Sequence, residues 1–138
     1  MIGTIHGRPL VAGSASGQAL TTGEPISLWG GLDPATGTVI DRHHSLVGQC
    51  LTSRILVLPC GRGSCSASGV LLEAIRNGTS PAGIVVSEID PIIGLGAILG
   101  EELCGRTVPV VLVSAEEREA IPDGRIITIS ETGAITWQ

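Results

Sequence analysis

An α/β (α+β) domain with a barrel-like sheet and helices on one side is the fold class this sequence predicts. Three observations predict it. Strand-like segments come first and strand–helix–strand units follow, the order of a mixed sheet with helices packed on it. Short continuous apolar runs bounded by proline and glycine mark strands buried on both faces. Finally, Trp29 and Trp137 are the only aromatic residues in 138. The core therefore rests on Val, Ile, Leu and Ala, which suits strands and close helix-on-sheet contacts.

In chain order, residues 1–10 and 16–22 alternate polar and small side chains around turns, the pattern of weak strands or a hairpin. Residues 25–29 form a short extended run. Gly30-Gly31-Leu32-Asp33-Pro34-Ala35-Thr36-Gly37 reads as a loop, and residues 38–40 as a brief strand leading into Asp41-Arg42-His43-His44. Residues 54–58 are continuously apolar after Arg54 and end at Pro59, a buried strand. Beyond the next turn, Val70, Leu71, Ala74 and Ile75 share one helical face, and Asn77-Gly78 supplies the stop. Residues 82–86 predict a second buried strand and residues 91–103 a glycine-containing helix. Residues 108–113 and 125–130 predict two more strands, the last turning at Glu131-Thr132-Gly133 into residues 135–137. No internal repeat or composition break divides residues 1–138, so a single domain is expected.

Composition narrows the function. The formal net charge is −5, and no Lys/Arg cluster interleaves with aromatics, which argues against nucleic-acid binding. No apolar stretch reaches the roughly 18 residues of a membrane helix. The N-terminus lacks a signal peptide's basic start and apolar run, so a cytoplasmic location is expected. Cys50, Cys60, Cys65 and Cys104 contain no CxxC pair, which argues against zinc or iron–sulfur ligation within this chain. Hydrophobic residues make up 43% and charged residues 15%, a balance that suggests apolar surface covered by another chain.

The stretch that carries chemistry is Leu58-Pro59-Cys60-Gly61-Arg62-Gly63-Ser64-Cys65-Ser66-Ala67-Ser68-Gly69. A buried strand runs into a glycine-rich turn that opens a helix, where backbone N–H groups and the helix dipole favour an anion. The dinucleotide fingerprint fails because serine stands where its last glycine is needed, and no P-loop Gly-Lys-Ser/Thr is present. A nucleophile elbow fails because no glycine lies two residues after Ser64. Two readings stay open: serines that cap a helix, or a site for a carboxylate or other anion. Ser64 is not a base unaided. An alcohol's pKa lies near water's, about 15.7. Lowering it by roughly six units requires ~8 kcal/mol. A helix N-terminus offers at most ~2 kcal/mol, and a desolvated Arg62 a similar amount. The remainder has to come from outside this chain.

This turn, together with the residue 27–37 motif Ser27-Leu28-Trp29-Gly30-Gly31-Leu32-Asp33-Pro34-Ala35-Thr36-Gly37 and with Asp41-Arg42-His43-His44, closely resembles the swivelling domain of aconitase X. Gly69-Val70-Leu71-Leu72-Glu73 and Gly96-Ala97-Ile98-Leu99-Gly100-Glu101-Glu102 extend the resemblance over nearly the whole chain. It implies a swivelling β/β/α fold and a hydro-lyase whose large subunit carries the iron–sulfur cluster, with no cofactor bound by this chain alone. Because the sequence ends at Gln138, the separate small-subunit form is expected rather than the fused one. The resemblance further implies Ser64 as the base that removes the substrate's α-proton. By the helix argument the backbone amides of Gly63, Cys65 and Ser66, with Arg62 beside them, are expected to bind the substrate carboxylate, and the Gly30–Asp33 loop, including Gly31 and Asp33, is expected to close on the same cleft. Two substrate branches exist, cis-3-hydroxy-L-proline and phosphomevalonate, both small hydroxy acids. The turn versions here resemble the hydroxyproline branch; the archaeal turn has Lys at the Arg62 position and Thr at the Cys65 position.

Two readings of other classes compete. Swivelling β/β/α domains also serve as phosphohistidine carriers, which directs attention to His43 and His44, though their Asp41-Arg42-His43-His44 setting lacks the glycine-rich, serine-bearing loop expected of a carrier. A non-catalytic regulatory subunit is the third. Asp33 has a plainer role open to it as well, stabilising an Asp-Pro turn.

Overall fold

The computed structural model describes residues 2–63 and 66–138. The described residues form ten strands and four helices. They are β1 (Gly3–His6), β2 (Arg8–Val11), β3 (Ala15–Thr21), the irregular turn α1 (Leu28–Gly31), β4 (Leu32–Asp33), β5 (Thr38–Val39), β6 (Ile55–Leu58), α2 (Ser66–Asn77), β7 (Gly83–Val86), α3 (Pro91–Cys104), β8 (Val110–Leu112), α4 (Ala115–Ala120), β9 (Ile126–Ile129) and β10 (Ala134–Trp137).

Eight strands form one mixed sheet in the order β1-β10-β9-β3-β6-β7-β8-β2, and β4 and β5 make a separate small hairpin. β3, β6, β7 and β8 run parallel, and the remaining pairs are antiparallel. The apolar runs of β6 and β7 are buried at every residue, because side chains alternate between two covered faces. Leu56, Leu58, Ile84 and Val86 pack beneath α2 and α3. Ile55, Val57 and Val85 point the other way, with Ile127, Ile129 and Ile135.

That second face is concave. A Cβ added to Gly83 of β7 would stand 2.9 Å from Ile129 Cδ1 of β9, although two strands separate them in the sheet. The sheet curls without closing into a barrel: β1 and β2, joined through Gly7, sit at its two outer edges. The N-terminal segments are thus strands but not a hairpin, since β1 pairs with β10 and β2 with β8. Edge placement follows from long-range pairing that local alternation does not reveal.

The helices lie as the apolar spacing predicts. Ala67, Ser68, Leu71, Ala74 and Ile75 form the buried face of α2, and Gly78 ends it at φ +76. α3 begins with Asp90, whose carboxylate accepts the Ile92 and Ile93 amides, and Pro91 occupies its first turn. The two helices touch closely because Gly96 and Gly100 lie a turn apart on α3. Cβ atoms there would reach 3.0 Å from Leu71 and 2.5 Å from Ile75 Cδ1. The helix α4 has no counterpart in the expected elements. It is held by a capping box between Ser114 and Glu117 and buries no residue. No helix among the described residues is long and apolar enough to cross a membrane.

Candidate active site

The parallel strands β3, β6 and β7 end on one edge of the sheet, the place where open α/β sheets bind ligands. Three segments leave that edge together. Thr22 N–H donates to Val57 O (2.9 Å), and Ser87 and Glu88 N–H both donate to Pro59 O (3.1 and 3.0 Å). The turn after β6 then runs beside residues 22–27. Ile26 bridges Gly61, Ile26 N–H donates to Cys60 O (3.4 Å), and Arg62 N–H donates to Ile26 O (2.9 Å).

Asp90 organises the corner. Buried at 6% exposure, it accepts the Gly61 N–H on Oδ2 at 2.5 Å and the Ile92 and Ile93 amides on Oδ1 at 3.0 and 3.1 Å. One side chain thereby caps α3 and pins the glycine turn. Gly63 follows at φ +111, backbone that glycine adopts without strain, and a Cβ there would stand 3.1 Å from Ser27 Oγ. On the far side of the turn α2 begins at Ser66, and Ser68 Oγ donates to Ile92 O (2.8 Å), tying the starts of α2 and α3 together. The first turn of α2 carries no acidic side chain to offset its dipole.

Ser64 and Cys65 lie outside the described residues. Gly63 and Ser66, which flank them in sequence, lie at this edge. Arg62 is exposed, and its guanidinium enters no ion pair among the described residues. Ser27, whose Oγ lies 3.1 Å from where a Gly63 Cβ would stand, leads into Gly30 and Gly31: its Oγ donates to Trp29 O (3.1 Å), Gly31 O accepts the Ile40 N–H (2.8 Å), and Trp29 is 64% exposed. Asp33 is not brought there. Its carboxylate accepts the Ala35 N–H (2.9 Å). Pro34 O takes hydrogen bonds from Asn77, the last residue of α2, and from Thr79 just beyond it. The 12 residues of α2 place that end ~18 Å from the helix start at 1.5 Å per residue. Asp33 serves the β4–β5 hairpin.

The Asp41-Arg42-His43-His44 motif packs behind this loop. Asp41 Oδ1 accepts the His43 N–H (2.9 Å), and Asp41 Cβ lies 3.7 Å from where a Gly31 Cβ would be. His44 is buried (4% exposed), and its Nδ1 accepts the Leu46 N–H (3.0 Å), so of the pair only His43 faces solvent. A solvent-facing phosphoacceptor role is therefore not open to His44. Glu24 lies between this motif and the turn. Its hydrogen bond from Ser45 lowers its pKa, and the nearby His44 and Arg62 add to the effect.

Burial pushes the Cys60 thiol up, and the negative Glu88 and Asp90 push it further, which disfavours its thiolate form. Among the described residues no three His, Cys, Asp or Glu side chains come together as a metal site. Cys50, Cys60 and Cys104 are thus not gathered into a set that fits an iron–sulfur cluster. Sequence reasoning missed Asp90 as the anchor of the turn. The Asp-Pro at the helix start signalled a cap, but nothing local signals a hydrogen bond to a glycine 29 positions earlier.

Comparison with known proteins decides the family. The model of the aconitase X swivel domain matches residues 4–137, a span that includes every motif of this edge. The chain belongs to the aconitase X swivel-domain family. The cis-3-hydroxy-L-proline dehydratase of Pseudomonas aeruginosa is 50% identical over 121 residues, 86% of this chain but 21% of that protein. This swivel domain thus spans about a fifth of the hydroxyproline relative it matches. The phosphomevalonate dehydratase small subunit of Methanosarcina acetivorans is 34% identical over 91% of this chain and 84% of that one. The crystal structure of Thermococcus kodakaraensis aconitase X in its holo-form superposes with a TM-score of 0.88 at 29% identity, covering 99% and 98% of the two chains.

Proposed function

We propose that this swivel domain is the small subunit of a heteromeric hydro-lyase that dehydrates cis-3-hydroxy-L-proline to Δ1-pyrroline-2-carboxylate, with Ser64 as the general base. The observation that carries this reading is the glycine turn after β6, pinned by Asp90 at the sheet edge where α2 begins. The 50% identity to a named hydroxyproline dehydratase supports the substrate.

In this mechanism the substrate carboxylate lies against the backbone of Gly63, Cys65 and Ser66 at the positive end of α2 and beside the Arg62 guanidinium. Gly31 holds the neighbouring loop in place. The α-proton passes to Ser64 Oγ, and its electron pair forms the C2–C3 double bond as the 3-hydroxyl departs and, with a proton, becomes water. The resulting enamine tautomerises to the pyrroline. Donors of the turn stabilise the carboxylate as negative charge spreads into it. The helix dipole and Arg62 together supply well under the ~8 kcal/mol needed to ionise the serine. The missing positive charge belongs to the large subunit, which also holds the iron–sulfur cluster.

A second substrate has its own support. The relative whose length this chain nearly matches is named for phosphomevalonate. The experiment is reconstitution with the large subunit encoded in the same genome, assayed with both substrates side by side. Turnover of cis-3-hydroxy-L-proline only when both chains are present is expected. Turnover of phosphomevalonate instead moves the assignment to that branch, and full turnover by the large chain alone makes this chain a regulatory subunit.

A further inference from the structure

One buried group beside the site is only half used by the fold. His44 is 4% exposed, and its Nδ1 accepts the Leu46 N–H at 3.0 Å. An imidazole that accepts there carries its hydrogen on Nε2. That Nε2–H is fully buried and has no acceptor among the described residues. Buried donors left unpaired are rare and costly, so each one calls for a reason. The Leu46 bond does not provide it. Asp33, Thr36 and Asp41 make the same side-chain bond to the amide two residues ahead (2.9, 3.3 and 2.9 Å) with a carboxylate or a hydroxyl. A histidine is required only where its second nitrogen has a partner to serve. The acceptor at hand is Glu24. The Ser45 N–H, one residue past His44, donates to its Oε1 at a long 3.3 Å. Hydrogen bonding to Ser45 lowers the Glu24 pKa most, and His44 and Arg62 are close enough to lower it further. Glu24 is exposed and enters no ion pair among the described residues.

Glu24 thus stands between the loop of His44 and the turn of Arg62, whose N–H is held by Ile26 O two residues past Glu24 (2.9 Å). That position conflicts with binding: a substrate carboxylate drawn to Arg62 meets a second negative charge close to the same guanidinium. We infer that His44 is a positioning residue of this site, its Nε2–H receiving the Glu24 carboxylate when the substrate carboxylate takes over Arg62. The inference rests on the proposed reaction, in which Arg62 lies beside that carboxylate. The exchange withdraws one negative charge from the guanidinium as another arrives, and it gives the unpaired donor its acceptor. The bond that Glu24 gives up, to Ser45, is a long one. Because the exchange accompanies binding and is kept through proton transfer, KM carries its effect and kcat does not. Both candidate substrates are carboxylates, so the same exchange serves either.

The test uses the chain reconstituted with the large subunit and assayed with whichever of the two hydroxy acids the complex turns over. Two substitutions split the ring. His44→Asn keeps an acceptor in the place of Nδ1 and removes the Nε2–H, whereas His44→Gln sets an amide N–H where Nε2 stands and gives up the acceptor. His44→Asn is expected to raise KM roughly 10-fold, with kcat and melting temperature nearly unchanged. His44→Gln is expected to keep KM within about twofold of the wild type, even where it lowers stability. In a Glu24→Gln background no charge has to be withdrawn, so adding His44→Asn is expected to change KM by less than about twofold. A wild-type KM in His44→Asn, a raised KM in His44→Gln, or an equal effect of His44→Asn in both backgrounds overturns the inference. So does a joint fall of kcat and melting temperature in His44→Asn, which assigns the residue to the fold alone. A wild-type complex that turns over neither substrate overturns the proposed function itself, a result distinct from all of these.

Discussion

The Asp90 carboxylate joins two elements that the sequence keeps far apart: one oxygen caps α3, and the other takes the backbone N–H of Gly61 at 2.5 Å. Removing the carboxylate in Asp90→Ala costs the cap, about 1 kcal/mol. It also leaves a part-buried amide without an acceptor, about 1–3 kcal/mol. A combined loss of about 2–4 kcal/mol in urea unfolding is expected. Asp90→Asn is the sharper probe. An asparagine has one oxygen, so it can serve the helix or the turn but not both. Its expected signature is a small stability loss with faster hydrogen exchange at Gly61. Unchanged protection at Gly61 together with unchanged protection at Ile92 and Ile93 in the Asn variant would show that the turn is held by other contacts.

Ser64→Ala separates the two roles open to that serine. As the proton acceptor, its loss lowers kcat of the reconstituted enzyme by about 10²–10⁴-fold, with subunit association and melting temperature nearly unchanged. As a mere helix cap, its loss costs about 1 kcal/mol of stability and leaves kcat within a few-fold. Steady-state kinetics and a thermal melt on the same sample distinguish the outcomes.

The central strands were legible because β6 and β7 are covered on both faces, so every residue had to be apolar. α2 was legible for a related reason: its one-sided burial leaves the i, i+4 and i+7 spacing of Ala67, Leu71 and Ala74. α4 escaped notice because it buries nothing, although Ser114 and Glu117 stand at capping-box spacing. The destinations of β1 and β2 escaped too, since a strand's partner across the chain leaves no local mark. At the site, the glycine turn and its neighbours around Gly31 were recognisable as motifs. Asp33 is drawn to the cleft only through its loop in the family resemblance; its carboxylate instead takes the Ala35 N–H, the turn-stabilising role also open to it, and the neighbouring Pro34 O meets Asn77 at the C-terminal end of α2.

The contact between α2 and α3 predicts opposite signs for two glycines on one helix. Gly100→Ala places a methyl 2.5 Å from Ile75 Cδ1, and the overpacking is expected to cost about 1–3 kcal/mol. Gly94→Ala meets nothing and gains helix propensity, about 0.5–1 kcal/mol of stabilisation. Denaturant midpoints of the two variants on the isolated chain should fall on either side of the wild type. A loss of stability at Gly94 would mean that α3 is packed differently from the arrangement described.

Two cysteines are predicted to titrate in the reverse order from each other's reference value. The hydrogen bond to Thr52 lowers the pKa of exposed Cys50, with Arg54 assisting. Burial raises that of Cys60, and the charges of Glu88 and Asp90 raise it further. Only the thiolate alkylates, so iodoacetamide should modify Cys50 at a pH below the ordinary thiol value of about 8.5 while Cys60 stays intact. Thr52→Val should move the Cys50 profile upward, and Glu88→Gln should move that of Cys60 downward by removing a negative neighbour. For stability the sign follows from Cys60 being harder to ionise folded than unfolded. Its contribution is present below the unfolded thiol pKa and is lost as pH rises through the folded one. Mass-spectrometric alkylation profiles of the two peptides check the order, and Cys60 reacting at or below the pH of Cys50 would mean that its pocket is neither as buried nor as acidic as Glu88 and Asp90 make it.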